Sequence, residues 1–435
     1  MSRTRRQTSV RIVLVGGSQL LQKLVGFLII AIMTRHFARE ELGEFFLAAA
    51  IGAIAAQATE LGTGRHLIRS IARDTAGATA QLSLVLSLRL PLMLAAFVTV
   101  NAACLVIRPS LSPTLLVVSL YLLLHDLQLT YAAFFVGLER YRIRVAVDVA
   151  GQVLLAGLTL ALARRGGGLQ SLLWAYVGAY TAVLAVTTVI VTARVGALRL
   201  RWSRPRALAV VRRSLPIFGV TLLDALHARA DTVMLGFLRP LPEVAAYAAA
   251  YRLLEVSRVA IRPVALIFFP ICVGLAARHD WGGLRRLFGK LTRAGLAAGA
   301  VAALVVVAAA EVVVPLVFGP DYPDAVPLVR ILFLGAPMLF TGLLAVALIH
   351  TLHLEREAMR AGIGCVAANV TLNAVAIPLW GAQGAAVVSI TTQALWTVFL
   401  ARLVLSHLDE SAAPETSATE ASSSALEEAR MESVE

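Results

Sequence analysis

Between Ser214 and Pro270, otherwise apolar sequence holds Asp224, His227, Arg229, Asp231, Arg252, Glu255, Arg258 and Arg262. Two helices of membrane length would carry these groups, joined by the turn Arg239-Pro240-Leu241-Pro242. A charge at the centre of a bilayer costs about 3 kcal/mol even on the mildest scale, so the cluster is expected to face the protein interior and to work there. An advance of about 100° per residue gathers Tyr247, Tyr251, Glu255, Arg258 and Arg262 onto one stripe of the second helix. It gathers Asp224, His227 and Asp231 onto one stripe of the first, with Arg229 pointing elsewhere.

Guanidinium groups hold phosphate oxygens through paired hydrogen bonds, so Arg252, Arg258 and Arg262 are candidates for the wall of a cationic, partly hydrated cavity. Lys23 is a fourth candidate. It stands mid-way along the first apolar stretch, with Gln19 and Gln22 at helical spacing, and is too deep to snorkel to the surface. Asp224, His227, Asp231 and Glu255 are candidates for coupling or gating, and His227 is the member suited to titrate near neutral pH. The competing expectation is structural: the carboxylates neutralise the arginines and lock the two helices together.

The elements that must position these residues follow from composition. The 435 residues are 59% hydrophobic and 15% charged, with a mean hydropathy of +0.80, whereas a soluble chain is normally about 45–50% apolar. We read an all-α integral membrane protein. Twelve stretches, the first near 12–33 and the last near 382–405, reach the roughly 20 residues that a helix needs to cross a bilayer. Arginines crowd the N-terminus and the loops after even-numbered stretches, including Arg65, Arg69, Arg73, Arg140, Arg142, Arg144 and the segment Arg194 to Arg213. Positive loops stay inside, so both termini are expected in the cytoplasm and the protein in the cytoplasmic (inner) membrane. The net charge of +13 is accounted for in this way and does not point to nucleic acid. Cys104, Cys272 and Cys365 lack disulfide or metal spacing. His350 and His353 stand i, i+3 without a third ligand, so no metal site and no cofactor are expected.

A weak internal repeat runs through the opening cluster. Glu41, Leu42, Gly43, Phe45 and Ala48 align with Glu243, Val244, Ala245, Tyr247 and Ala250 at an offset of 202. That offset joins the first apolar stretch to the seventh, as two six-helix halves would require. The expected organisation is an N-terminal lobe at 1–193, a basic cytoplasmic linker at 194–213, a C-terminal lobe at 214–408 and a disordered acidic tail at 409–435. The tail holds eight acids against one base and almost no large apolar residue, too little to bury a core. No phosphate-binding loop, nucleophile elbow or large segment outside the membrane is present, so the chain is not expected to be an enzyme.

In this order, TRHFAREELGEFFLAAAI, ATELGTGRHLIRSIAR, the region RRSLPIFGVTLLDALHARADTVMLG to AAYAAAYRLLE, and LVFGPDYPDAVPLVRIL carry a family likeness. The chain resembles the polysaccharide flippases of the multidrug/oligosaccharidyl-lipid/polysaccharide exporter superfamily. Ala38 and Ala245 depart from the pattern, standing where glycine is expected. The resemblance implies two six-helix lobes around a central cavity that opens alternately to either side. It also implies a polyprenyl-pyrophosphate-linked oligosaccharide as substrate, moved across the bilayer for surface polysaccharide assembly. Proton or sodium coupling and contacts with other polysaccharide assembly proteins would fit that role. A cation-coupled multidrug exporter and a peptidoglycan lipid-precursor flippase share the superfamily and are the alternatives.

The stripe on the eighth apolar stretch makes a first prediction. Arg258→Ala and Arg262→Ala should each abolish surface polysaccharide while the protein still inserts. Wild-type polysaccharide in both single variants and in the double variant would refute the cationic stripe.

Overall fold

The computed structural model describes residues 2–196, 198 and 204–412; the side chains of 2–15 and of scattered helical positions, Arg258 and Arg262 among them, lie outside the described residues. The elements are α1 (Ser2–His36), α2 (Arg39–Glu60), α3 (Thr63–Arg73), α4 (Ala78–Ile107), α5 (Ser112–Gly137), α6 (Tyr141–Arg164) and α7 (Leu169–Arg194). There follow α8 (Arg204–Leu238), α9 (Leu241–Ala276), α10 (Trp281–Phe318), α11 (Ala325–Phe333), α12 (Ala336–Leu352) and α13 (Glu355–Ala412). The basic stretch expected as a linker is thus partly helix, since α8 begins at Arg204, and α13 continues past Asp409 to Ala412. The rest of the acidic tail lies outside the described residues.

Helices satisfy their own backbone hydrogen bonds, which hydrocarbon cannot do for them. Leu28, Val106, Ile107, Leu304, Leu316 and Trp380 are each more than half exposed, an apolar surface suited to lipid rather than to water. Among the described residues, eight helices are long and apolar enough to cross a membrane, or nine if α11 and α12, bent by 48°, make one span. The difference from the expected twelve falls on α8 and α9 and on α13, which is one 58-residue element with non-helical backbone at Gly381. Asn369 Nδ2 nevertheless donates to Thr392 Oγ1 at 3.0 Å. In a straight helix those residues would stand about 34 Å apart, so α13 doubles back at Gly381 into two antiparallel limbs.

The two halves of the chain meet along α2, which packs on α8 and α9, while α1 packs on α6 and α9. The closest approach is at the start of α2, where a Cβ on Gly43 would lie 2.1 Å from the Leu241 carbonyl oxygen. The alanine run of α9 permits this, because small side chains let helices touch along their backbones. The internal repeat lands on the same junction: Leu42, Gly43, Phe45 and Ala48 are buried, as are Val244, Ala245, Tyr247 and Ala250. Isolated arginines at this end of the molecule fasten helix ends. Arg39 pairs with Asp324 at 2.7 Å and lies over the Tyr322 ring, Arg35 donates to the Leu316 carbonyl, and Arg108 to that of Gly236. Glu243 accepts from Arg239 and from the Ala382 backbone N–H, placing a negative group at the start of the second limb of α13, where the helix dipole favours it.

Other ionisable residues within the spans are structural. Glu60 accepts from the backbone N–H groups of Gly62 and Gly64, both at 2.9 Å, and so caps α3. Arg89 on α4 is 1% exposed and donates to Asp126 and Thr130 on α5. Removing one member of such a pair leaves its partner's charge buried and uncompensated, at a cost of about 3–5 kcal/mol. Asp126→Ala should therefore lose that much stability, read as a large drop in the melting temperature of the purified protein. Exposed Asp324→Ala should change it little.

Candidate functional site

The polar groups on α8 and α9 separate into three environments. The first is a lock. Asp231 is 0% exposed and accepts hydrogen bonds from the Tyr247 hydroxyl on α9 and, at 2.5 Å, from the Ser389 hydroxyl on α13. Its other oxygen accepts the Thr232 backbone N–H at 2.7 Å. Every acceptor of this carboxylate is answered from within, and it joins three helices.

The second environment is a cavity of about 340 Å³ with Asp224, His227, His350, Gln393 and Trp396 in its wall, all from the C-terminal half, and Arg65 of α3 at its edge. Asp224 is exposed and His227 half-buried, while His350 is held by Glu355 at 3.2 Å. The stripe expected to unite Asp224, His227 and Asp231 thus divides. The helical angle places all three on one face, but Asp231 lies about 10 Å beyond Asp224 and about 6 Å beyond His227 along the axis, where α9 and α13 close over it. Asp231 belongs to the lock and not to the cavity.

The third environment is a wall between the two halves of the chain. Glu255 receives Arg252 at 2.7 Å and Arg229 at 3.3 Å, one on each carboxylate oxygen. The arginines are 29% and 28% exposed. Arg229 does point away from Asp224, and what it reaches is Glu255. Both guanidinium groups act electrostatically on Tyr121 of α5. Tyr121 and Tyr180 of α7 lie near-parallel, their centroids 6.0 Å apart, and Tyr180 meets His125 edge-on at 5.3 Å. Lys23 of α1, an exposed side chain, acts on His125 in turn. Asp148 on α6, hydrogen-bonded by Gln22 and Arg144, acts on Tyr180. Among the described residues, side chains of α1, α5, α6, α7, α8 and α9 are thus linked by ring contacts, ion pairs and electrostatic reach, a series that includes Lys23, Arg144, Arg229, Arg252, Asp148 and Glu255.

Of the residues singled out in the sequence, Arg252 and Glu255 come together as an ion pair, Asp224 and His227 come together in the cavity, and Lys23 stands apart from both, within electrostatic reach of His125. The side chains of Arg258 and Arg262 lie outside the described residues. Sequence reasoning passed over Tyr121, Tyr176 and Tyr180. A signal was present: Tyr121 with His125, and Tyr176 with Tyr180, are i, i+4 pairs of ring side chains in apolar helices, and such pairs share a face.

The chain matches the family described as "Polysaccharide biosynthesis protein" over residues 11–274. No curated protein matches it significantly. Among solved structures, an inward-facing multidrug resistance MATE family transporter of the MOP superfamily aligns with TM-score 0.76 and 14% identity, over 92% of this chain and 98% of that one. An outward-facing MATE family transporter of the same superfamily aligns at 0.61 and 15%, over 92% and 95%. The lipid II flippase MurJ, in an inward closed conformation, aligns at 0.64 and 10%, over 89% and 86%. The helices therefore take a transporter fold, in an arrangement more similar to the inward-facing member of the first pair.

The division of the α8 stripe can be tested by stability. Asp231→Ala strands the buried hydroxyls of Tyr247 and Ser389, each orphan costing about 1–3 kcal/mol. It should lower the melting temperature of the purified protein by many degrees, whereas Asp224→Ala, in an open cavity, should leave it nearly unchanged.

Proposed function

The chain belongs to the polysaccharide biosynthesis protein family, and on that premise we propose that it is a flippase for polyprenyl-pyrophosphate-linked oligosaccharide, working across the cytoplasmic membrane by alternating access. The observation that supports this reading most strongly is a shared carboxylate: Glu255 serves both Arg229 and Arg252. Two guanidinium groups on one carboxylate retain positive charge, and a phosphate can take it up through bidentate hydrogen bonds. In this reading a phosphate competes with Glu255 for the two guanidinium groups. Glu255 reclaims the arginines when the headgroup leaves. Arg258 and Arg262, on the same helix, extend the cationic path in this reading, and the lipid tail stays in the bilayer.

The cavity beside the wall is the place for coupling. Asp224 and His227 are carried by α8, the helix that also presents Arg229, so a proton or a sodium ion taken up there acts on the wall through one rigid element. The lobes at 1–193 and 214–408 would rock about the 194–213 segment, with both termini cytoplasmic. Proteins that build and export the polysaccharide are the expected partners at either face. A second reading, a cation-coupled multidrug exporter, draws support from the cavity itself, where Asp224 and Trp396 offer a carboxylate and an aromatic ring to an organic cation.

Depleting the protein should cause a lipid-linked glycan to accumulate on the cytoplasmic leaflet. Re-expression of an Arg229→Ala/Arg252→Ala double variant should restore only a small part of the surface polysaccharide, although the variant inserts normally. Drug efflux with no glycan defect would transfer the assignment to the second reading. A glycan that proves to be the peptidoglycan precursor would transfer it to that lipid.

A further inference from the structure

Neither a phosphate nor a coupling ion explains the rings on the N-terminal side of the wall. Tyr121 and His125 stand one turn apart on α5, Tyr176 and Tyr180 one turn apart on α7, and the two pairs interleave. Tyr176 is the anchor: it is 5% exposed, its hydroxyl lies 2.6 Å from Thr159 Oγ1 on α6, and its ring meets Tyr121 edge-on at 6.1 Å. Tyr121, Tyr180 and His125 are only half-buried. Packing alone would be served by Leu or Phe. A buried Tyr hydroxyl or His nitrogen must find a hydrogen-bond partner, so polar rings are chosen where one end is to stay wet or to meet a ligand.

We infer, building on the flippase reading above, that Tyr121, Tyr180 and His125 form a platform on which a pyranose ring of the substrate stacks. A sugar presents a flat face of C–H groups and a rim of hydroxyls. An aromatic face covers the first, and a few convergent polar groups answer the second. Both components are here. Tyr180 lies near-parallel to Tyr121, and Asp148, held by Arg144 at 3.4 Å and by Gln22, stands within electrostatic reach of Tyr180 as an acceptor for sugar hydroxyls. The cations stand within electrostatic reach of one ring of the platform, Tyr121, across the boundary between the two halves of the chain. In a glycosyl pyrophosphate the first sugar is bonded directly to phosphate, so a ligand with phosphate on the arginines places that sugar on the adjoining rings. The platform belongs to α5 and α7, and the two arginines to α8 and α9. One headgroup therefore touches both halves of the protein, and the sugar is the part read by the N-terminal half.

The test uses the full chain in lipid nanodiscs with two probes, undecaprenyl pyrophosphate alone and the same lipid carrying a neutral disaccharide of pyranose sugars. The readout is the ratio of their dissociation constants. Wild type should prefer the glycosylated lipid by about tenfold. Tyr121→Leu and Tyr180→Leu, which keep bulk but lose the ring, should bring the ratio close to one, whereas Tyr121→Phe and Tyr180→Phe should retain most of it. Arg252→Ala should weaken both lipids together and leave the ratio unchanged. A wild-type ratio near one, or Leu variants with the wild-type ratio, would overturn the platform. Failure of wild type to bind the bare lipid would instead overturn the flippase reading. The free disaccharide, followed by saturation-transfer NMR, then tests the platform by itself: equal signals from wild type and the Leu variants overturn it, and a signal lost only in the Leu variants upholds it.

Discussion

Hydrocarbon offers a charge no partner, so each ionisable side chain in this bundle has to be answered by another part of the protein. That constraint orders the structure. Arg89 is answered by Asp126 and Thr130, Asp231 by Tyr247, Ser389 and the Thr232 backbone, and Glu255 by two arginines. The first two sets are almost wholly buried, with hydrogen bonds running between helices as interhelical glue. In the third set the accounting leaves a surplus, because one carboxylate serves two cations that are each more than a quarter exposed. Of the three sets, this one is the most exposed to solvent and the least tightly paired.

The helix α8 carries all of these roles at once. Its Asp231 is sealed among α9 and α13, its Asp224 and His227 open into a cavity of the C-terminal half, and its Arg229 reaches across to Glu255. One helix thus carries the lock, part of the cavity wall and one of the two arginines on Glu255.

At the end of the molecule where α1 meets α2 and α8 meets α9, closure depends on small residues and on a few cations. Gly43 lets the start of α2 touch the Leu241 carbonyl, and Arg39 reaches Asp324, the Pro242 carbonyl and the Tyr322 ring. Gly381 has φ of +57°, which glycine adopts without penalty, and a Cβ there would lie 2.5 Å from Glu243. These polar contacts fasten helix ends beside a buried apolar core in which Leu42, Phe45, Val244 and Ala245 take part.

Much of this was legible in the order of residues alone. Apolar runs of membrane length, arginine-rich loops and the repeat at an offset of 202 specify a membrane-embedded helical bundle, because span length, period and burial are local properties of a helix in lipid. The repeat even marked the junction of α2 and α9, and the cluster on α8 and α9 marked Arg252 and Glu255. Helical angle tells which face a residue occupies, but not what lies opposite it or how deep along the axis it sits. Only the packing of α9 and α13 separated Asp231 from Asp224 and His227, and only folding brought Tyr121 within electrostatic reach of Arg229 and Arg252. Ser389 reaches Asp231 from 158 positions away, and no local pattern can encode a neighbour that folding alone supplies.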